Sequence, residues 1–372
     1  WLAQCAWHLS GRSSNRDWQP IEHKRSTYRQ EPSGLRLREW CPTMKVTTAA
    51  QIFDGPGQPF RLEQLPLPDP GPGERIVAVG CATLCGSDIH TVDGRRREPT
   101  PAILGHEGIG HVIAAGPGAE ADVGRRVTWS LADSCGHCRF CRRHDLPQKC
   151  DRLFKYGHAD LADGSGLNGT YASHILLRAG THLVDIPDSI SDPVAAPANC
   201  ALATAAAALD ALPHGAERVL VQGAGLLGLY AAALLRHRGV DCVMCSDPVE
   251  RRLEQVASWD VMPIEPENVS QIEECDAVLE MSGHPDSVVD GVQALRVGGT
   301  YVLVGLVHPD SALALTGEQI IRKCLRFQGV HNYAPRHLDE AIDFLTDVGA
   351  DDRLLQLVSP PRPLASLDDA FD

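Results

Sequence analysis

Two rhythms of apolar and polar positions divide this chain. From Met44 to about Pro193, apolar residues come in short runs broken by Gly and Pro, such as Ile76-Val77-Ala78-Val79 and Gly110-His111-Val112-Ile113-Ala114-Ala115. Lys45-Val46-Thr47-Thr48-Ala49 opens the region with an alternating segment. These are strand signals, and the turn residues between them forecast a β-rich unit. From about Val194 to Val330 the rhythm changes. Arg218–Gln222 precedes an apolar helical pattern running from Leu226 to Arg238 and ending at Gly239. Val240 to Cys245 precedes a charged helix, and Asp276 to Glu280 and Thr300 to Leu306 follow as further strands. Alternation at this spacing predicts a doubly wound parallel sheet. The expected fold class is therefore α/β plus β, with no internal repeat.

Residues 1–43 follow neither rhythm. They hold four of the six tryptophans and seven basic residues against four acidic ones. No apolar period is sustained, so they read as a disordered upstream extension rather than a transit peptide, which would carry few acids. The 372 residues otherwise suit two domains at roughly 150 residues each. Val219 to Leu235 is the best membrane candidate, but it is short and carries Gln222, Gly223, Gly225 and Gly228. A strand, turn and helix explain it better.

The net charge of −14 disfavours a phosphate-backbone binder, and residues 44–372 alone carry 27 basic against 44 acidic residues. No nucleic-acid or membrane partner is expected. Thirteen cysteines in a chain without a secretory signal imply reduced thiols, a cytoplasmic setting and metal binding rather than a disulfide framework.

Gly223-Ala224-Gly225-Leu226-Leu227-Gly228 fits GxGxxG between an apolar strand and a helix. The first glycine permits the turn, the second admits a pyrophosphate and the third lets helix meet strand. Unpaired N–H groups at the helix start would receive the phosphates. Asp247 follows the next strand, where a carboxylate accepts from both ribose hydroxyls and repels a 2′-phosphate, favouring NAD over NADP. Arg251 and Arg252 leave room for NADP.

Cys135, Cys138 and Cys141 are spaced CxxCxxC, and Cys150 follows. Four thiolates in one loop favour a closed, structural tetrahedral zinc site. An iron–sulfur cluster of the bacterial ferredoxin type would want its fourth cysteine three residues on and before a proline. His137 and His144 read as solvated neighbours. Cys242 and Cys245 lie three apart on a strand and point to opposite faces, so they read as core residues.

Cys85-Gly86-Ser87-Asp88-Ile89-His90 and Gly105-His106-Glu107 are short motifs. Taken in order with the cysteine lobe and the glycine motif, they resemble the zinc-dependent medium-chain alcohol dehydrogenases, from Met44 to the C-terminus. The resemblance implies a GroES-like catalytic domain over residues 44–195 and a Rossmann domain over 196–330. Residues 331–372 would return toward the catalytic domain. It implies two zinc ions per chain, NAD as cofactor, a small alcohol or carbonyl substrate and a homodimer or homotetramer.

Cys85, His106 and Cys200 would hold a catalytic zinc, leaving a fourth position for water or substrate. Ser87 and His90 would relay the alcohol's proton, Asp88 would orient His106, and Glu107 would visit or orient the metal. Thr204, Ser282, Gly283, Val304, Gly305 and Leu306 would meet nicotinamide and ribose. Trp129 and Leu131 are candidate pocket walls.

Two departures stand out. The loop between Cys141 and Cys150 is one residue longer than in the family, which makes His144 or Asp145 a conceivable substitute ligand. The chain also stops at Asp372, where family members continue through a last helix and strand. The segments Lys155-Tyr156-Gly157-His158 and Asn168-Gly169-Thr170-Tyr171, with Ala198-Asn199-Cys200, look most like dehydrogenases associated with phosphonate catabolism. Sorbitol- or threonine-type polyol and amino-alcohol dehydrogenases are the enzyme alternatives. A zinc-stabilised dinucleotide-binding sensor is the non-enzyme alternative, and it would have no need of a proton relay.

Overall fold

The computed structural model describes residues 46–371 together with a two-residue strand at Cys5–Ala6. The extension read at 1–43 otherwise lies outside the described residues. Cys5–Ala6 pairs antiparallel with Ala82 and Thr83.

The first sheet is antiparallel. Arg75–Thr83, Glu107–Ala115, Arg126–Trp129 and Leu183–Asp185 lie side by side, and His174–Leu177 pairs with the outer side of Arg75–Thr83. Gly110 faces Val79, and a Cβ there would meet the Ala78 carbonyl oxygen at 2.1 Å, so the close strand approach demands glycine. Ile52, Phe53, Ile76, Val77, Trp129 and Tyr171 form the core of this unit.

The second sheet is parallel throughout. Its spatial order is Met262–Ile264, Cys242–Ser246, Arg218–Gln222, Cys275–Glu280, Leu295–Leu303 and Arg326–Gly329. The winding reverses beside Arg218–Gln222, and a crevice at the carboxyl ends of the strands there is the standard ligand position of such sheets. Both faces of Arg218–Gln222 are covered: Val219 and Val221 join one core cluster and Leu220 another. This explains its unbroken apolar run. Cys245 is buried in the first cluster, while Cys242 packs against the second, on opposite faces of the strand.

Six of the nine residues of the helix Ala201–Leu209 are alanine, and these small side chains let it pack against both Leu226–His237 and Pro335–Val348. The last described residues lie against the antiparallel unit. Gln51 Nε2 donates to the Leu364 carbonyl at 2.7 Å, Phe60 N donates to Asp368 Oδ1 at 3.0 Å, and the Phe371 and Phe60 rings stack at 5.3 Å. Val219 to Leu235 is a buried strand, turn and helix, and no described helix is long and apolar enough to cross a membrane.

Candidate metal centres and cofactor cleft

Three chain reversals deliver one donor cluster. Cys85 caps the helix Gly86–Val92, immediately after the strand Arg75–Thr83. His106 precedes the strand Glu107–Ala115, placed by a turn at Gly105 with φ +85°, where a Cβ would strike Tyr171 and Thr170. Cys200 links the turn Ala196–Asn199 to the helix Ala201–Leu209. Donor atoms of Cys85, His106, Glu107 and Cys200 all lie within 4.8 Å of one another. The Cys85 and Cys200 sulfurs are 3.9 Å apart. Two thiolates about 2.3 Å from one tetrahedral ion would sit at about that separation, so the donor set fits zinc.

The electrostatics point the same way. The Cys200 thiol hydrogen-bonds Cys85 and holds it well below the ordinary thiol range, while that same contact and burial push Cys200 well above it. Burial pushes Glu107 well above the usual carboxylate range, with the Cys85 charge adding to it. Burial opposes a charge on His106, but Asp88 and Cys85 outweigh it and raise the ring to about 9. Acids that cannot all ionise together in so close a cluster are a set whose charge a bound cation would relieve.

The surrounding side chains are tied to this cluster. Asp88 is buried; its Oδ2 accepts from Cys85 N at 3.0 Å and from the Tyr171 hydroxyl at 2.9 Å, and its Oδ1 stands 3.6 Å from His106 Nδ1. Glu107 accepts a hydrogen bond from the Thr83 hydroxyl. The Ser87 hydroxyl reaches the Cys85 sulfur, and His90 lies on the exposed side of the same helix. Thr204 stands one helical turn after Cys200 and donates its N–H to the Cys200 carbonyl at 2.9 Å.

Asn199 stands in the sequence only as part of the Ala198-Asn199-Cys200 resemblance, with no role assigned, and Tyr333 is not marked at all. The Asn199 amide donates to the carbonyls of His106 and Trp129, and the Tyr333 hydroxyl donates to the Asn199 carbonyl while accepting from Leu131 N at 3.1 Å. The only signal was a polar residue beside Cys200 in an apolar stretch. Trp129 is fully buried in the core of the antiparallel unit, which corrects its reading as a pocket wall; Leu131 is buried below Tyr333.

The second cluster contains Cys135, Cys138, Cys141 and Cys150. Cys138 Sγ lies 3.5 Å from Cys141 Sγ and 3.8 Å from Cys150 Sγ, again tetrahedral spacing. Backbone N–H groups of Cys135 and Arg152 point at the Cys150 sulfur at 3.2 and 3.3 Å, and the N–H of His137 is foremost in drawing the Cys135 thiol down to about 6. Neither alternative ligand takes part. The His144 ring packs on Phe140 and Asp145 pairs with Arg336 at 3.1 Å. Asp145 has φ +52°, a left-handed turn that takes up the extra loop residue. His137 Nδ1 meets the Cys135 carbonyl and not the cluster.

The glycine motif has the shape a pyrophosphate needs. Gly223 has φ +100° and lies against Ser282, where a Cβ would come within 2.8 Å of its backbone. A Cβ on Gly228 would lie 1.7 Å from the Gly223 carbonyl oxygen. Gly225, the N-cap of Leu226–His237, faces open space instead: a Cβ there would meet nothing within 4 Å. Asp247 is buried, with Oδ2 accepting from Ala224 N at 2.8 Å and Oδ1 from Val249 N at 2.9 Å, and Arg252 Nη1 lies 3.2 Å away. Its carboxylate therefore also braces the glycine loop, a role invisible in spacing alone.

Glu280 was missed by the sequence reading. It is fully buried and accepts from Ser282 Oγ, Gly283 N and Gly305 N, so it holds together the two turns that carry Ser282, Gly283, Val304 and Leu306. An acidic residue closing an apolar strand, Ala277-Val278-Leu279-Glu280, was the available clue.

Residues 71–188 match the alcohol dehydrogenase GroES-like domain and residues 227–347 match the zinc-binding dehydrogenase domain. An L-threonine 3-dehydrogenase from Xanthomonas campestris pv. campestris is 31% identical over 293 residues, covering 73% of this chain and 80% of that protein. An alcohol dehydrogenase from Thermotoga maritima superposes with a TM-score of 0.81 at 25% identity, covering 88% of this chain and 95% of its own. A protein described as a short chain alcohol dehydrogenase from Escherichia coli CFT073, solved with NADH, superposes with a TM-score of 0.71 at 25% identity, covering 81% of this chain and 88% of its own.

Proposed function

The chain belongs to the zinc-dependent medium-chain alcohol dehydrogenase family, and from that premise we propose which of its residues carry the reaction. It is an oxidoreductase with a GroES-like unit and a parallel-sheet nucleotide-binding unit, using zinc and NAD(P). Its chemistry passes a hydride from an alcohol carbon to the nicotinamide and leaves an aldehyde or ketone.

Cys85, His106 and Cys200 hold the catalytic zinc, with Glu107 beside them, and the four-cysteine lobe holds the structural one. A zinc ion bound there supplies Lewis acidity toward the alcohol oxygen. Asp88 orients His106 through Nδ1. Ser87 takes the hydroxyl proton, and His90 exchanges it with solvent. Partial desolvation, aided by Arg95, holds the largely exposed His90 below the ordinary histidine value, which favours the neutral ring that can accept a proton. Gly225, Gly228 and the N-terminus of Leu226–His237 receive the pyrophosphate. Asp247 and Arg252 face the adenosine ribose, which favours NAD over NADP. Thr204, Ser282, Val304 and Leu306 border the nicotinamide half.

Threonine dehydrogenase relatives favour an amino-alcohol or polyol as a second reading of the substrate. Self-association into a homodimer or homotetramer is supported by Val297, Val307 and Ile321, exposed near the open edge strand Arg326–Gly329. A cytoplasmic setting, which keeps the thiols reduced, completes the reading.

The observation that carries the site assignment is the convergence of Cys85, His106 and Cys200, from three separate parts of the chain, to one 4.8 Å cluster. The test is metal content with an alcohol panel. Near two zinc per chain and alcohol-dependent NADH formation are expected. A single zinc, unaffected by Cys200→Ala, would sink the catalytic-site assignment.

A further inference from the structure

A histidine outside the donor set stands against the His106 ring. His158 packs its imidazole on that of His106, with centroids 5.1 Å apart and the planes 30° from parallel. That separation is typical of packed ring pairs. The backbone sets the two rings beside each other. Ala102 and Asp160 form an antiparallel bridge, and Leu161 N donates to the Pro101 carbonyl at 2.8 Å. The same register brings Gly157 opposite Gly105. Gly157 has φ +74°, and a Cβ there would come within 2.4 Å of the Gly105 carbonyl oxygen. Two glycines thus let the strand entry that carries His106 lie directly on the segment that carries His158.

His158 is itself anchored. Its Nδ1 lies 3.1 Å from Glu98 Oε1, and the two side chains are only 9% and 10% exposed. Arg96 Nε holds the same Glu98 oxygen at 2.6 Å. The Arg96 backbone N–H donates to the His90 carbonyl at 2.9 Å, in the last turn of the helix that Cys85 caps. A chain of contacts therefore runs from that helix through Arg96, Glu98 and His158 to the face of the His106 ring.

A histidine ligand needs such a hold. Rotation about its Cβ–Cγ bond has broad preferences, so the plane of an imidazole is set by its neighbours. Asp88 stands at the edge of the His106 ring, and at 3.6 Å its Oδ1 attracts Nδ1 without the directionality of a short hydrogen bond. A contact at the edge draws the ring in. A contact on the face limits its twist.

We infer that His158 is a positioning residue for the catalytic zinc: its ring sets the plane of the His106 imidazole, and Glu98, braced by Arg96, sets the plane of His158. This rests on reading Cys85, His106 and Cys200 as the ligands of that zinc, and it adds a support for His106 on the side that Asp88 leaves free to twist.

The test is metal binding by the whole chain, with zinc kept in the four-cysteine lobe and cobalt(II) supplied to the other cluster. Competition with a chelator gives the cobalt affinity, and visible absorption reports the geometry of its ligands. His158→Leu removes the ring and is expected to weaken cobalt binding about tenfold or more, with shifted visible bands. His158→Phe keeps the ring face and is expected to stay within about threefold of the parent, with parent-like bands. Glu98→Gln should shift both readings in the same direction by less, and it is the probe if His158→Leu does not fold. Parent-like affinity and bands in both His158→Leu and Glu98→Gln overturn the inference. So does a His158→Phe protein as weak as His158→Leu, or an equal weakening of the four-cysteine lobe, which would mark a general loss of folding. In each of these cases the parent still binds two metals and the zinc reading stands. A parent that binds no cobalt at the Cys85, His106 and Cys200 cluster removes that reading, and the role of His158 falls with it.

Discussion

The Asn199 side-chain amide donates to the His106 carbonyl at 3.0 Å, tying the turn that ends at Cys200 to the strand entry that carries His106. The same amide donates to the Trp129 carbonyl at 3.0 Å, and its oxygen faces Gly108 N at 3.4 Å. One fully buried side chain thus fixes the distance between two proposed ligands that are far apart in sequence. Asn199→Ala leaves two buried carbonyls without this donor, a cost of about 2–4 kcal/mol. Zinc content is expected to fall from near two per chain to near one, with the four-cysteine lobe still loaded. Elemental analysis with a thermal melt checks this. Two tightly held zinc ions in the variant would show that Asn199 does not position the cluster.

Two glycines in one motif are expected to fail differently. Gly225 has ordinary φ and ψ, and a Cβ there points into empty space. Gly225→Ala should leave stability within about 0.5 kcal/mol of the parent. It should raise the NADH dissociation constant about tenfold or more, because the new methyl stands where the pyrophosphate approaches. Gly228→Ala drives its methyl into the Gly223 carbonyl and should cost about 1–3 kcal/mol or more in folding. Melting temperatures beside NADH fluorescence titrations separate the two. Equal melting losses would show that the open space at Gly225 is not a ligand position.

The contrast shows what the chain's spacing made legible. GxGxxG, CxxCxxC and the short Cys85 and His106 motifs are local patterns, so the residues that the fold gathers into clusters stand out in the sequence itself. The parallel sheet was legible too, because strands covered on both faces read as continuous apolar runs. Asn199, Tyr333 and Glu280 were not legible as site residues, because their work consists of hydrogen bonds to backbone groups remote in sequence. Such partners are set by tertiary packing, and nothing in the neighbouring residues announces them. Trp129 failed for the opposite reason: a large aromatic beside a motif suggested a wall, whereas its volume was needed in the core.

Glu280 gives a sharper test of those hidden supports. Its carboxylate takes hydrogen bonds from Gly283 N at 2.6 Å and Gly305 N at 3.0 Å, as well as from the Ser282 hydroxyl. Glu280→Gln keeps the volume but replaces one acceptor oxygen with an amide donor that faces N–H groups. A loss of about 1–3 kcal/mol in stability and a raised KM for the cofactor are expected together. Steady-state kinetics at varied NAD, beside chemical denaturation, measure both. Unchanged cofactor KM with reduced stability would confine Glu280 to folding.

Asp276 provides a pH prediction away from the metal clusters. Its Oδ2 accepts from Glu217 N at 2.9 Å and Arg218 N at 3.0 Å, and its Oδ1 pairs with Arg296 Nε at 2.6 Å. Burial alone would raise this carboxyl, but Arg296 and the two N–H groups outweigh it and hold it below the usual carboxylate value. A carboxyl depressed in the folded state binds protons more readily when unfolded. Its stabilisation is therefore fully present above the unfolded value near 3.9 and disappears as pH falls through the lower folded value. Asp276→Asn should be less stable than the parent by about 1–2 kcal/mol at pH 7. The gap between the two should stay constant from pH 8 to about 5 and close only below about 4. Paired denaturation curves across that range cancel any effect of zinc loss common to both proteins. A gap that widens on acidification would reverse the sign assigned to Asp276 and remove it as the anchor of the strand Arg218–Gln222.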